Sequence, residues 1–383
     1  MKMQSINDWI EKTHKLGKDF ATRVEEYDNN DRFVTENYSA LKENGFLSAA
    51  VPEKLGGGGI SHSEMCEILR ILGQYCSSTA LALSMHQHLL AANIWKYKQG
   101  QGAEEMLRNV AKNQPVLVST GANDWLESSG QIQKTKDGFL VTAVKHFASQ
   151  SEAGDILVTS APFEDPENGW QVLHFAVPFK SPGVKVLGNW QALGMRGTGS
   201  HSVLLENVFV PETAITLRRP RGEFHPVWNV ILTVAMPLIM SVYLGIAQKA
   251  ASIAVENARN QKKKRQYIPE LIGGMYNELT TAELNVKDMK RIANNFDFKP
   301  IDQNGQDILM RKTNAANASI KVVEKAMEIV GGQGFYRSFG LERLFRDVQA
   351  AKYHPLQEKD QLQFSGEYIL RNGLKIIPSI LAA

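Results

Sequence analysis

Hydrophobic positions along the chain change period twice. In the first third they recur every three to four residues: in "WIEKTHKLGKDFATRVEEY" behind Asp8, in "TENYSALKENGFLSAAVP" closed by Gly45, and in "HSEMCEILRILGQYCSSTALALSMHQHLLAANIWKY", which supplies two more segments. That spacing gathers apolar side chains on one helix face, with Asp8 as the cap of the first helix. At Pro115 the pattern changes. "PVLVST", "QIQKTKDGFLVTAVKHFAS", "DILVTSAPF", "WQVLHFAVPF", "GVKVLGNW" and "SVLLENVFVP" alternate or run β-branched, and Asp137-Gly138 marks a hairpin. After "RRPRGEFHP" the helical period returns, with Gly331-Gly332 placed to cap "RKTNAANASIKVVEKAMEIV". The order predicts a helical domain over 1–114, a β domain over 115–222 and a helical bundle over 223–383.

Because strands and helices do not alternate, a doubly wound nucleotide fold is excluded, and no strand leads into GxGxxG. "GGGG" at 56–59 lacks a following Lys-Ser/Thr and reads as a flexible turn, not a phosphate loop. Residues 228–247, "WNVILTVAMPLIMSVYLGIA", carry no charge and match a bilayer in length. Asn229, the central Pro237 and the polar remainder of the chain favour instead a helix buried on all sides.

Lys+Arg 43 against Asp+Glu 40 is close to neutral and gives no case for a nucleic-acid surface. Cys66 and Cys76, in apolar helical surroundings, read as two buried thiols in a reducing compartment, not a disulfide or a metal site. "MKMQSINDWIEKTHK" has no apolar run of the secretory kind, so the expectation is a cytoplasmic protein with no membrane anchor.

The α–β–α order, "VPEKLGGGGIS", "ALGMRGTGSHSVLLENVFVP" and "GGQGFYRSFGLERLFRDVQAA" together resemble the acyl-CoA dehydrogenase superfamily of flavoproteins. The resemblance implies an α+β fold: an N-terminal helical domain, a central β-barrel-like domain and a C-terminal four-helix-bundle domain. It also implies FAD, with FMN as the alternative, held between the last two, in a homotetramer or homodimer. An isoalloxazine needs a dry, flat slot with fixed donors, which strand ends can supply. Ser119 and Thr120 in "VLVSTGAND" and Ser149 in "KHFASQ" match the family positions that touch the ring. Taken alone they are strand-end hydroxyls bonding nearby backbone. Arg259 falls where the family places an arginine on the pyrophosphate, and Gly331, Gly332, Gln333 and Gly334 fall where a neighbouring subunit meets the adenosine half. A guanidinium suits a diphosphate by its forked, permanent charge. The family's Phe-Gly beyond that arginine is Lys262-Lys263 here, within a charge run that reads equally well as solvated surface.

A second departure concerns catalysis. The family's catalytic glutamate, which removes the α-proton of an acyl thioester, falls at Pro355, and the alternative base position falls at Ala235. No carboxylate occurs over residues 227–254, and Glu358 lies about one helical turn beyond the expected place. Removing a weakly acidic proton requires a positioned, desolvated base. The two-component flavin monooxygenase branch, which uses reduced flavin from a separate reductase, is also similar to this chain in "GMRGTGS" and "RDVQAAKYHP". There a histidine near the flavin assists proton movements and a serine supports N5, which implies His354 and Ser149 as catalytic residues. Imidazole suits that work because its pKa lies near neutrality. Alone, His354 reads as a helix-end histidine against Pro355, while His146 and His201 read as structural or pocket-lining. Three functions follow: a monooxygenase of aromatic or sulfur compounds, an acyl-CoA dehydrogenase with a relocated base and an electron-transfer flavoprotein as partner, or a flavin-binding homologue without redox chemistry.

Overall fold

The computed structural model describes residues 5–120, 124, 126–261 and 265–373. Lys262 and Lys263 of the charge run lie outside this set. Six helices open the chain: α1 (Ile6–Ala21), α2 (Val24–Asn29), α3 (Thr35–Glu43), α4 (His62–Tyr75), α5 (Ser77–Lys98) and α6 (Glu104–Asn113). The cap of α1 is Ser5 rather than Asp8. The Asp8 N–H donates to the Ser5 hydroxyl, and Asp8 in turn accepts from the Ser5 N–H, so two orphan helix-end donors are satisfied reciprocally. The glycine segment at 56–59 is a turn, and a tightly packed one. A Cβ on Gly57 would lie 2.4 Å from the Val51 carbonyl oxygen, and one on Gly58 2.7 Å from that of Ala49.

The barrel-like centre consists of two four-stranded sheets. One orders β1 (Leu117–Ser119), β4 (Ile156–Asp165), β5 (Gly169–Pro178) and β8 (Ile215–Pro220); the other orders β2 (Gln131–Lys134), β3 (Gly138–Ala148), β7 (His201–Pro211) and β6 (Val184–Val186). The Asp137-Gly138 hairpin joins β2 to β3 with Lys134 opposite Phe139. β8 has no counterpart among the strands read from the sequence. One of its inward positions is Arg219, 1% exposed, so the strand buries a charge where the pattern would show an apolar residue.

The last part is helical: α7 (Val227–Asn260), α8 (Ile268–Ala293), α9 (Asp302–Val330), α10 (Leu341–Val348) and α11 (Glu358–Asn372). α7 is long and apolar enough to cross a membrane, yet its most apolar window is 94% buried among α4, α5, α8 and α9. Close approach to α4 requires Gly245, where a Cβ would lie 2.1 Å from the Arg70 carbonyl oxygen. The helical run toward His354-Pro355 stops in two stages. α10 ends at Val348, a 3₁₀ turn continues over Gln349–Tyr353, and His354 is extended with φ −71° and ψ 141°.

Arg346 and Asp347 staple three parts of the molecule together. Arg346 pairs with Asp28 (Nη1–Oδ1 2.9 Å) and donates to the Leu193 carbonyl at 3.1 Å. Asp347 is 2% exposed; it accepts from the Met195 N–H at 2.6 Å and from the Ser77 hydroxyl at the start of α5. The "GMRGTGS" loop is thereby fixed against both helical layers.

Candidate active site

A cavity of about 540 Å³ opens where α5, the first turns of α7 and the β1-containing sheet meet. Its apolar walls include Leu89, Trp95, Val158, Trp228 and Ile231, and its polar face includes Ser119, Thr120, Asp124, Thr159 and His174. The size suits a small organic ligand. Behind the polar face lies a buried network. Lys145, fully buried, reaches Asp124 at 2.8 Å and the Ser129 carbonyl at 2.7 Å, and Ser129 donates to the other Asp124 oxygen at 2.9 Å. Burial pushes the Lys145 pKa down and Asp124 opposes the shift. Thr120 shares a 2.7 Å hydrogen bond with Thr159, so its hydroxyl is engaged within the wall.

Ser149 does not line this cavity. It follows the last residue of β3, and its hydroxyl lies 2.8 Å from that of Ser200, which lies 2.7 Å from that of Thr198. Thr198 donates to the Met195 carbonyl at 2.8 Å, so the ladder is continuous with the loop held by Asp347. Two residues before Ser149, Phe147 is 51% exposed with φ +57°, and its ring meets Trp190 edge-on at 6.3 Å. A bulky residue in the left-handed region costs about 1–3 kcal/mol, and such strain concentrates at ligand clamps. A half-exposed aromatic face beside a fixed hydroxyl ladder fits the edge of a flat ring, so these residues fit the flavin that the resemblance implies.

His354 does not line this cavity either; it lies against the middle of α7. Its Nε2 is 2.7 Å from the Tyr243 hydroxyl, the one hydrogen-bond partner of that buried phenol among the described residues. Burial first, then the charges of Lys312 and His88, pushes His354 down to about 3. Burial likewise holds Tyr243 well above the usual phenol range. Both groups are therefore neutral near pH 7. Since a buried O–H needs an acceptor, Tyr243 donates to Nε2 and the imidazole proton sits on Nδ1. Lys312 on α9, pushed down to about 8 by burial, donates to the Leu356 carbonyl at 2.5 Å and fixes the turn that follows His354.

His88 went unnoticed in the sequence pattern. It is 8% exposed, lines the cavity, and its Nδ1 has no hydrogen-bond partner among the described residues. Its neighbour His86 is fully engaged: Nε2 meets the Leu47 carbonyl at 2.8 Å and Nδ1 accepts from the Leu117 N–H at 3.1 Å. Burial pushes both down to about 4. The available signal was "HQH" set in an otherwise apolar stretch of α5. His201 and His146 bond Glu152 (3.0 Å) and Ser202 (2.9 Å) inside the β domain.

The positions matched to a cofactor tail gather elsewhere. Arg259 lines an open groove of about 780 Å³ between α7 and α8. Asn257, half a turn away, donates to Gln333 at 3.1 Å, and a Cβ on Gly331 would lie 3.7 Å from Arg265, so Arg259 and the 331–334 segment share one neighbourhood. Gly332 has open space around it, whereas Gly334 packs on Val330 and Leu341. From Ile231 to Arg259 the helix rises about 42 Å at 1.5 Å per residue. One chain therefore does not present the cavity and this patch to a single dinucleotide.

Neither family base position carries an acid. Ala235 is buried in α7 and Pro355 follows His354. Glu358 is exposed, accepts from the Asn317 amide at 2.9 Å and does not line the cavity.

Comparison with known proteins gives the lineage. Residues 11–114 match the acyl-CoA dehydrogenase N-terminal domain and residues 228–353 match the acyl-CoA dehydrogenase C-terminal domain, together more than half of the chain. "Putative acyl-CoA dehydrogenase YdbM" of Bacillus subtilis (strain 168) is 27% identical over 91% of this chain and 92% of its own length. The dibenzothiophene monooxygenase of Mycolicibacterium goodii is 25% identical, covering 96% and 95%. The FMN-bound structure of TdsC from Paenibacillus sp. A11-2 superposes with a TM-score of 0.81 at 19% identity, covering 95% and 98%.

Proposed function

The chain belongs to the acyl-CoA dehydrogenase superfamily of flavin-dependent oxidoreductases, and within it we propose a monooxygenase that uses reduced flavin from a separate reductase to oxygenate a small aromatic or sulfur-containing substrate. The observation that carries this reading is a neutral imidazole, His354 on Tyr243, next to the position where a dehydrogenase keeps its carboxylate. Similarity to a dibenzothiophene monooxygenase over nearly the whole chain supports it.

A reduced flavin, once bound, would supply the electrons that activate dioxygen. Ser119 and Thr120 at the end of β1 and Ser149 with Phe147 at the end of β3 would hold its ring. FMN is the simpler cofactor for one chain; FAD would draw on Arg259 and the 331–334 patch of a neighbouring subunit in a homodimer or homotetramer. The remaining work belongs to the chain. Held down to about 3 and with Nε2 taken up by Tyr243, His354 would serve as a neutral hydrogen-bond donor through its Nδ1–H, steadying an oxygen without carrying a charge itself. His88 adds a second neutral imidazole to the cavity wall. Leu89, Trp95 and Trp228 would keep the cavity dry.

The dehydrogenase alternative would turn to Asp124, the carboxylate in the cavity wall, but both of its oxygens already accept, from Lys145 and Ser129. Anaerobic mixing with acyl-CoA thioesters separates the two: a monooxygenase leaves its flavin oxidised, and a dehydrogenase bleaches it.

A further inference from the structure

The cavity wall opposite α5 has a sign. His174 on β5 lies beside Arg219, whose Nε donates to His174 Nε2 at 3.0 Å. A guanidinium can only donate, so Nε2 is the acceptor and the imidazole proton is fixed on Nδ1. Among the described residues no acceptor bonds that Nδ1–H, and His174 lines the cavity. His225 is fixed in the opposite sense: the Val227 N–H donates to its Nδ1 at 3.2 Å, which leaves the proton on Nε2. Lys96, from the last turn of α5, lines the same space and makes no ion pair among the described residues. Burial pushes its ammonium down, which marks a charge drawn partly out of water. The nearby acids are already matched. Asp124 is held by Lys145 and Glu127 pairs with Arg221 at 2.9 Å. Arg219, stacked 5.3 Å from the Trp228 ring centroid, adds buried positive charge behind the wall. One cation without a carboxylate and two imidazoles of fixed tautomer thus line a space whose other walls carry indoles, aliphatic side chains and the hydroxyls of Ser119, Thr120 and Thr159, with Asp124 neutralised by Lys145.

We propose that this cavity recognises its substrate by an oxyanion, a carboxylate, sulfinate or sulfonate, held by the Lys96 ammonium and the His174 Nδ1–H, with an apolar or aromatic body against Trp228. The proposal rests on the reading of this cavity as the substrate site. It narrows the substrates from aromatic or sulfur compounds at large to those carrying a small anionic group. A charged hydrogen bond favours the anion over its neutral isostere, and the site has no free carboxylate to repel it. The same chemistry could come from a flavin phosphate, so the test separates the two sources.

Isothermal titration of the flavin-saturated protein with benzoate and with benzamide, near-isosteric and differing in charge, reads the claim directly. Benzoate should bind at least tenfold more tightly than benzamide, and rising salt should weaken benzoate alone. Lys96→Met should abolish the preference, Lys96→Arg should retain most of it, and neither should change flavin affinity. His174→Phe should weaken benzoate about tenfold. A circular dichroism melt checks that each variant folds; Lys96 is partly exposed, so Lys96→Gln serves where Met does not fold. Equal affinity for the two probes, preference for benzamide, or binding of neither overturns the proposal. A Lys96→Met effect on FMN in place of benzoate overturns it too, and assigns the site to the cofactor phosphate. Benzoate preference is independent of oxygen chemistry, so an acyl-CoA that bleaches the flavin would sink the monooxygenase reading while leaving this result intact.

Discussion

The Tyr243 hydroxyl lies 2.7 Å from Nε2 of His354, joining the middle of the long apolar helix α7 to the turn between α10 and α11. With both groups neutral, the phenol donates and the imidazole carries its proton on Nδ1. A long-range proton–nitrogen NMR spectrum should show His354 as the neutral Nδ1–H tautomer from pH 8 to pH 5. In Tyr243→Phe the tautomer preference should relax, with a stability loss of about 0.5–1.5 kcal/mol for one hydrogen bond. Titration of His354 near pH 6.5 would contradict the assignment.

Acid stability follows from the same burial. His62, His86 and His88 are pushed down to about 4, and His174 and His354 to about 3, with burial the leading cause in each. An unfolded histidine binds its proton near pH 6.5, so between about 6.5 and 4 the unfolded chain holds protons that the native one does not. Stability present above pH 6.5 is therefore lost as pH falls. Thermal melts should show Tm dropping steadily from pH 6.5 to 4.5, above the window of most carboxylates. A flat Tm across that range would mean these imidazoles are solvated.

Asp347 should matter for flavin although it touches no cofactor position. It holds the Met195 N–H, and the loop from Met195 carries Thr198 and Ser200 to Ser149. Asp347→Ala leaves the Ser77 hydroxyl and the Met195 N–H without their buried acceptor and should cost about 1–3 kcal/mol for each, read as a lower urea midpoint and weaker flavin binding. Asp347→Asn, which keeps one acceptor, should restore part of both.

Much of the architecture was legible because periodicity reports burial directly: α7 reads as a buried helix from its uncharged run, and the β2–β3 turn from Asp137-Gly138. β8 was not legible because Arg219 occupies an inward position and its burial depends on His174 and the Leu126 carbonyl, partners far away in sequence. "GGGG" was legible as a turn but not its packing, since only the fold brings Val51 and Ala49 against it. In the candidate site, the place of His354 beside the absent glutamate was legible, but its contact with Tyr243 was not, since two residues 111 positions apart meet only in the fold. The place of His88 was not, because two histidines a residue apart look alike until the fold is seen: His86 spends both nitrogens on backbone away from the cavity, and His88 lines it. Arg346-Asp347, which resemblance marks only as a motif, proves to be an interdomain staple.

Arg259 distinguishes the two cofactors. If a neighbouring subunit's pyrophosphate rests on it, Arg259→Ala should weaken FAD by about 1.5–3 kcal/mol and leave FMN nearly unchanged. Equal titration curves for wild type and variant with FAD would make Arg259 a groove residue only.

The most direct measurement is a stopped-flow record of flavin absorbance after anaerobic mixing of the oxidised holoprotein with a series of short to long acyl-CoA thioesters, run in parallel on His354→Ala. Because Pro355 and Ala235 occupy the base positions and Glu358 is turned to Asn317, wild type should show no bleaching with any thioester. With reduced flavin, oxygen and a substrate, His354→Ala should slow product formation by about 10²–10³, the loss of one fixed hydrogen-bond donor, while flavin affinity is unchanged. Rapid bleaching of wild type by an acyl-CoA, retained in His354→Ala, would contradict the account and return the catalytic role to a carboxylate.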